Sequence, residues 1–330
     1  ISGDNSCWIY ERMVMNFVVL YCNKNQYEMI EEFSFKYSSE DFSKVEILIF
    51  DDNSLPEQKE KLKELCNKYN NIKWINPDVD SDTNNAVVSS FQVCDNYLSK
   101  NNIDANWILF FENDVFPFQN NFWEELNTTI EEHDFINDKV GLFGFSSYQD
   151  FKGGVKRTDG NPTIGRGCIL DGILNPPHSG WYKDLSDEWY DTDYFVVEVP
   201  NWQSVCVNRK LFRENIEIDL NHSHRLLSVD SVSHQFMYKG FFNLVFPKLS
   251  VYHDSGELKK DINLTIDNSY SRSNNSHEVF KNTWGWSWGY RNRNLRNEFG
   301  LTFPKYMDTI QDKLFNMNVK DGPKRIEDFE

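Results

Sequence analysis

Runs of apolar residues alternate with stretches of helical spacing through the first half of the chain. "MNFVVLYCN", Met15 to Asn23, is an apolar run ending in polar residues and predicts a strand buried on both faces. "QYEMIEEFSFKYSS" follows, with Tyr27, Ile30, Phe33 and Tyr37 at helical spacing. "VEILIFDDNS" predicts a second buried strand that stops at Asp51 and Asp52, and "PEQKEKLKELCNKY" a helix with proline in its first turn. "NIKWINP" predicts a short third strand, "NNAVVSSFQVCDNYLSK" a helix, "NWILFFENDVFP" a fourth strand, and "FQNNFWEELNTTIEEH" a helix burying Phe122, Leu126 and Ile130. Strand and helix in strict alternation predict an α/β fold with a mostly parallel sheet flanked by helices.

From about Val140 the pattern changes. Glycine-rich "VGLFGFSSYQDFKGGVKRTDGNPTIGRGC" and aromatic, acidic "LNPPHSGWYKDLSDEWYDTDYF" predict long irregular segments of the sort that carry function. "YFVVEVPNWQSVCVNRKLF" returns to strand and helix, "HRLLSVDSVSHQFMYKGF" is helical around Asp230, and "FNLVFPKLSVYHDSG" predicts a strand ending at His253 and Asp254. The tail is polar apart from the aromatic island "TWGWSWGYRNR", whose alternation favours packing over sugar stacking.

The 330 residues, with 26 Phe and 10 Trp, are enough for a sizeable core. A net charge of −17 repels a nucleic-acid backbone, so nucleic acid is excluded as a partner. The six cysteines lack zinc-site spacing and read as buried thiols of a reducing compartment. No apolar run is long enough for a transmembrane segment and the start lacks a leader pattern, so the expectation is a soluble, cytoplasmic protein.

Chemistry concentrates where apolar runs stop. Glu112 and Asp114 follow "ILFF", on the edge where open α/β sheets bind ligands, and strand alternation turns both to one side with Asn113 away from them. Two carboxylates on one side call for a cation, Mn2+ or Mg2+. An acidic turn is the plain alternative, but a second strand ends in Asp51 and Asp52, and two acidic strand ends at one ligand edge are harder to dismiss.

In this order of parts the chain resembles nucleotide-sugar-dependent glycosyltransferases of the GT-A fold, most closely the inverting family two, over residues 14 to 255. The resemblance implies a nucleotide-sugar donor site opened by "VVLYCN" and "IFDDNS", with Asn23, Asp51, Asp52 and Asn113 as nucleotide contacts. It implies a metal motif at "FENDVFP", with Glu112 in place of the usual first Asp, Asp114, and His253 completing the shell. Arg209 in "WQSVCVNRKLF" matches an arginine before the acceptor region, and Asp230 in "LLSVDSVSHQF" an acidic base at a helix start. His234, one turn on from Asp230, with Trp181 and Trp202, are candidate acceptor contacts.

The implied organisation is an N-terminal extension (1–13), a nucleotide-sugar-binding half (14–150), an acceptor-binding and catalytic half (151–255) and a C-terminal extension packing on the core (256–330). The implied activity is transfer of a sugar to a hydroxyl of a carbohydrate or glycoconjugate acceptor. A non-catalytic carbohydrate-binding or scaffold protein of the same fold is the alternative. A nucleotidyltransferase is disfavoured because "YCNKNQYE" lacks a glycine-rich loop after the first strand.

Overall fold

A computed structural model describes residues 15–78, 86–133, 135–149, 187–218, 225–253, 310, 313–314, 317 and 322–330. Trp181, Lys156, Arg157, Arg166, Asp254 and the aromatic island of the tail lie outside the described residues.

Strands β1 (Phe17–Asn23), β2 (Ile47–Asp51), β3 (Ile72–Trp74) and β4 (Trp107–Phe111) pair in parallel in the order β3-β2-β1-β4. Each is joined to the next through helices: α1 (Tyr27–Glu32), α2 (Pro56–Lys68) and α3 (Ala86–Lys100). The helical spacing after β1 is only partly an α-helix, since Phe33–Tyr37 winds as a π-helical turn. Beyond β4 come β5 (Val115–Pro117), α4 (Phe122–Glu132), α5 (Phe135–Lys139), β6 (Val140–Gln149), α6 (Asp187–Asp191), β7 (Phe195–Val196), β8 (Ser204–Asn208), α7 (Arg209–Asn215), α8 (Arg225–Tyr238) and β9 (Phe242–His253).

This second half adds antiparallel strands to the expected mostly parallel sheet. Its path continues β4-β8-β6-β9-β5, with β7 on β9. β8 runs antiparallel to β4 and β6, and β5 and β7 antiparallel to β9, while β6 and β9 are parallel to each other. The sheet is therefore mixed, with β1 to β4, β6 and β9 running one way. The glycine-rich start at Val140, read as irregular, is the strand β6, because its glycines fit close neighbours. A Cβ at Gly141 would collide with Phe236 of α8, and one at Gly144 would lie 2.8 Å from Pro200.

Two apolar layers cover the sheet. Tyr21, Ile49, Phe111, Phe122 and Trp123 lie in one, and Leu20, Phe50, Phe91, Phe110, Val205 and Phe236 in the other. Alternate residues of β1, β2 and β4 enter opposite layers, which is why these strands read as unbroken apolar runs. The end of the chain joins the first layer through Ile326 and Phe329, with Phe329 edge-on to Phe242 at 5.3 Å. Cys22, Cys66, Cys94 and Cys206 are free thiols. Among the described residues no helix is long and apolar enough to cross a membrane.

Candidate metal and nucleotide site

The common direction of β1, β2, β4, β6 and β9 brings their carboxyl ends to one edge. Antiparallel β5 and β8 begin at that edge, since Val115 pairs with His253 and Ser204 with Phe111. Topology alone therefore gathers Asn23, Asp51, Asp52, the Glu112–Asp114 triplet, Gln203 and His253.

Glu112, Asn113 and Asp114 form the turn between β4 and β5, closed by Val115 N–H donating to Glu112 O at 3.0 Å. The two carboxylates face the same way, as strand alternation suggested, but the turn and the β5–β9 ladder bring this about. His253 Nε2 lies 3.5 Å from Asp114 Oδ2 and 3.7 Å from Glu112 Oε2. The three side chains are 15% (His253), 9% (Asp114) and 19% (Glu112) exposed, so the carboxylates are largely withdrawn from water yet open on one side. One ligand atom from each residue lies within 4.8 Å of the other two. Two hard oxygen donors and one imidazole at this spacing fit a divalent cation, and the nitrogen favours Mn2+ over Mg2+.

The nucleotide candidates divide into two sets. Asp51 is 1% exposed and turned into the fold: Tyr27 Oη donates to its carboxylate, Ser54 N–H approaches both oxygens at 3.3 Å, and Lys59 Nζ stands 3.9 Å away. Burial first, and the Asp51 carboxylate after it, push the Tyr27 hydroxyl far above its ordinary pKa, so it stays a donor. Asn76, which the sequence did not point to, pairs with the Asp51 backbone through both ends of its amide, at 2.8 Å each. Asp51 thus orders the strand end. Asp52, 8% exposed, follows at the edge itself, its N–H donating to Asn23 O at 2.9 Å.

Asn113 bridges β4 to β1. Its Nδ2 donates to Asn23 Oδ1 at 2.9 Å and to Gln26 Oε1 at 2.6 Å. Asn23 is 2% exposed, and among the described residues its Nδ2 has no acceptor. A buried amide N–H2 without a partner costs about 1–3 kcal/mol, which a ligand acceptor would recover.

The second-half candidates sit differently. Asp230 is not at the start of its helix but inside α8, 1% exposed, and so is not the N-cap that its residue type suggests. His234, one turn on, is 0% exposed with Nδ1 3.5 Å from Glu198 Oε1. Glu198 and His234 form a buried ionisable pair, of which the sequence signalled only His234, and Asp230 lies one turn before His234 on α8. Trp202 is turned inward. Its ring is edge-on to Phe91, its Nε1 donates to Ser233 Oγ at 2.9 Å, and it packs between α3 and α8 instead of offering a face to a sugar.

Arg209 lies elsewhere. Because β8 is antiparallel, the residue after it emerges at the opposite edge, beside Trp107 at the start of β4. There Arg209 Nε donates to Asp95 Oδ1 at 2.6 Å, and its terminal nitrogens donate to the carbonyls of Ile103 and Ala105 at 3.2 and 3.1 Å and to Ser99 Oγ at 2.8 Å.

No protein-family model matches the chain, and no curated protein sequence does. Solved structures do. Mannosyltransferase PcManGT from Pyrobaculum calidifontis, in complex with GDP-Man and Mn2+, is 9% identical over 72% of this chain and 56% of its own, with a TM-score of 0.45. GalNAc-T7 with UDP, GalNAc and Mn2+ is 13% identical over 74% and 45%, with a TM-score of 0.49. S. aureus TarS 1–349 is 12% identical over 91% and 77%, with a TM-score of 0.45. This chain thus spans about half the length of the first two. These neighbours are GT-A glycosyltransferases, the family the sequence resembles. The likeness is a distant one in fold, and what the chain does is left to its own residues.

Proposed function

We propose that this chain is a metal-dependent glycosyltransferase that moves a sugar from a nucleotide-sugar donor to a hydroxyl of a carbohydrate or glycoconjugate acceptor, with inversion. The observation that carries the reading is the Glu112–Asp114–His253 group at the carboxyl edge of a mixed, mostly parallel α/β sheet.

Glu112, Asp114 and His253 would hold Mn2+ or Mg2+, which supplies Lewis-acid neutralisation of a diphosphate leaving group. Asp52, Asn23 and Asn113 line the neighbouring strand ends. There the unpartnered Asn23 Nδ2 is suited to an acceptor oxygen of base or ribose, and the Asp52 carboxylate to N–H or O–H donors. Asp230 is the proposed base that removes the acceptor proton, with His234 and Glu198 fixing its surroundings.

The test is thermal unfolding against UDP-, GDP-, dTDP- and CMP-sugars, with and without Mn2+. A donor at a hundred times its dissociation constant adds about 2.7 kcal/mol, a shift of several degrees. The expected result is a shift with one nucleotide that requires Mn2+ and is lost in Asp114→Ala. Asp230→Asn keeps that shift while donor turnover falls by about 100-fold or more. No shift with any donor in folded protein removes the reading and leaves the non-catalytic alternative.

A further inference from the structure

Gln203 stands behind the candidate metal group. Its Nε2 donates to His253 Nδ1 at 2.8 Å, and its backbone carbonyl accepts from Glu112 N–H at 2.9 Å, so one residue touches two of the three candidate ligands. Its Oε1 accepts from Asn201 Nδ2 at 2.8 Å and from Ser147 Oγ at 3.4 Å, and its own N–H donates to Asn201 Oδ1 at 3.2 Å. Asn201 and Gln203 are 2% and 8% exposed, and the loop that carries them is seated on β6 where Gly144 has no Cβ.

This arrangement fixes a tautomer. With Gln203 donating to Nδ1, the neutral ring carries its proton on Nε2, aimed at Asp114 and Glu112. That form faces two carboxylates but has no lone pair for a cation. A carboxamide offers a donor at one end and an acceptor at the other in nearly the same shape. Turned about, Gln203 presents Oε1 to Nδ1–H, and the Nε2 lone pair faces the carboxylates. The exchange is balanced, one proton leaving Nε2 for solvent and one arriving at Nδ1. Ser147 Oγ can rotate to accept from the turned amide, while Asn201, whose Oδ1 is held by Gln203 N–H, gives up its bond to Oε1.

We infer that Gln203 is a positioning residue whose carboxamide turns to switch His253 between a carboxylate-facing and a metal-ligating tautomer, with Ser147 accommodating the turn. The inference rests on the metal reading above. A bound cation selects the acceptor-facing state, since metal-ligating histidines donate their other ring N–H to an oxygen.

The experiment uses long-range 1H–15N correlation of the histidine rings, with His253 assigned through a His253→Gln variant and Mg2+ as a diamagnetic probe. The free protein is expected to carry its ring proton on Nε2, and the Mg2+-saturated protein on Nδ1. Mn2+ affinity, read by EPR of the free ion, is expected to weaken 10–100-fold in Gln203→Met. In Gln203→Glu, whose carboxylate can only accept, affinity stays at the parent level or tightens. An unchanged tautomer on adding Mg2+, Mn2+ binding within twofold of the parent in Gln203→Met, or equal losses in both variants would overturn the inference. The parent's own behaviour separates the failures. If it binds no Mn2+, the metal reading falls and this one with it. If it binds Mn2+ and Gln203→Met is indifferent, only the role of Gln203 falls. The tautomer measurement needs no variant at position 203, so poor folding of Gln203→Met leaves a decisive result.

Discussion

Replacing Arg209 with alanine separates a stapling role from a role at the proposed active site. The guanidinium side chain is 12% exposed and its partner Asp95 10%. Removing it takes one partner from a buried ion pair and strips donors from the Ile103 and Ala105 carbonyls. Loss of one member of a buried pair costs about 3–5 kcal/mol. Arg213 also reaches Asp95, with Nε 2.8 Å from Oδ2, and keeps the carboxylate partly compensated, which favours the lower half of that range. Arg213 itself is 52% exposed, so Arg213→Ala should cost about 1 kcal/mol or less. At roughly 2–4 °C per kcal/mol, Arg209→Ala lowers the melting midpoint by on the order of 10 °C, and Arg213→Ala by a few degrees at most. Residues 107 to 111 of β4 separate Arg209 from the metal edge, four steps of about 3.3 Å each, roughly 13 Å. Mn2+ affinity in Arg209→Ala is therefore expected to stay within about twofold of the parent below the melting transition. Urea unfolding and Mn2+ titration read the two effects independently. A stability loss under about 1 kcal/mol, or a tenfold loss of Mn2+ affinity in folded protein, refutes the reasoning.

Gly141→Ala places a methyl group where Phe236 lies, an overpacking expected to cost about 1–3 kcal/mol in urea unfolding, and Gly141→Val more. Burial pushes the Asp95 carboxyl up, but hydrogen bonds from Arg213 and Arg209 outweigh it and hold the pKa below the ordinary value. A folded pKa below the unfolded one, about 3.9, means stabilisation that is complete above that value and lost as pH falls through the folded one. Acid titration of unfolding free energy is expected to show this slope below about pH 4, and Asp95→Asn to flatten it and lower stability at pH 7.

The first half of the chain was legible because its strands are buried on both faces. Uninterrupted apolar runs at β1, β2 and β4, each ending abruptly in polar residues, mark strand and ligand edge together. The apolar spacing of α3 and α4 likewise marks the buried faces of helices. The Glu112–Asp114 pair was legible for the same reason, as charge at the point where an apolar run stops. His253 was legible only as the polar end of β9.

What the sequence did not contain was strand direction in the second half. β6 looked irregular because Gly141 and Gly144 are chosen by what packs on them, Phe236 and Pro200, and such contacts leave no periodic trace. Direction then decided which end of each element met the site. It put Gln203, at the start of β8, behind His253, and sent Arg209, at the other end of the same strand, to the far edge. Trp202 and Arg209 stood out by type and position, and tertiary packing holds the first between α3 and α8 and the second against Asp95. Local pattern thus determined which segments are strands and helices and where a metal could sit in the first half. The long-range ladders decided which distant residues complete that site, because six residues along a strand carry the chain roughly 20 Å, from one end of the sheet to the other.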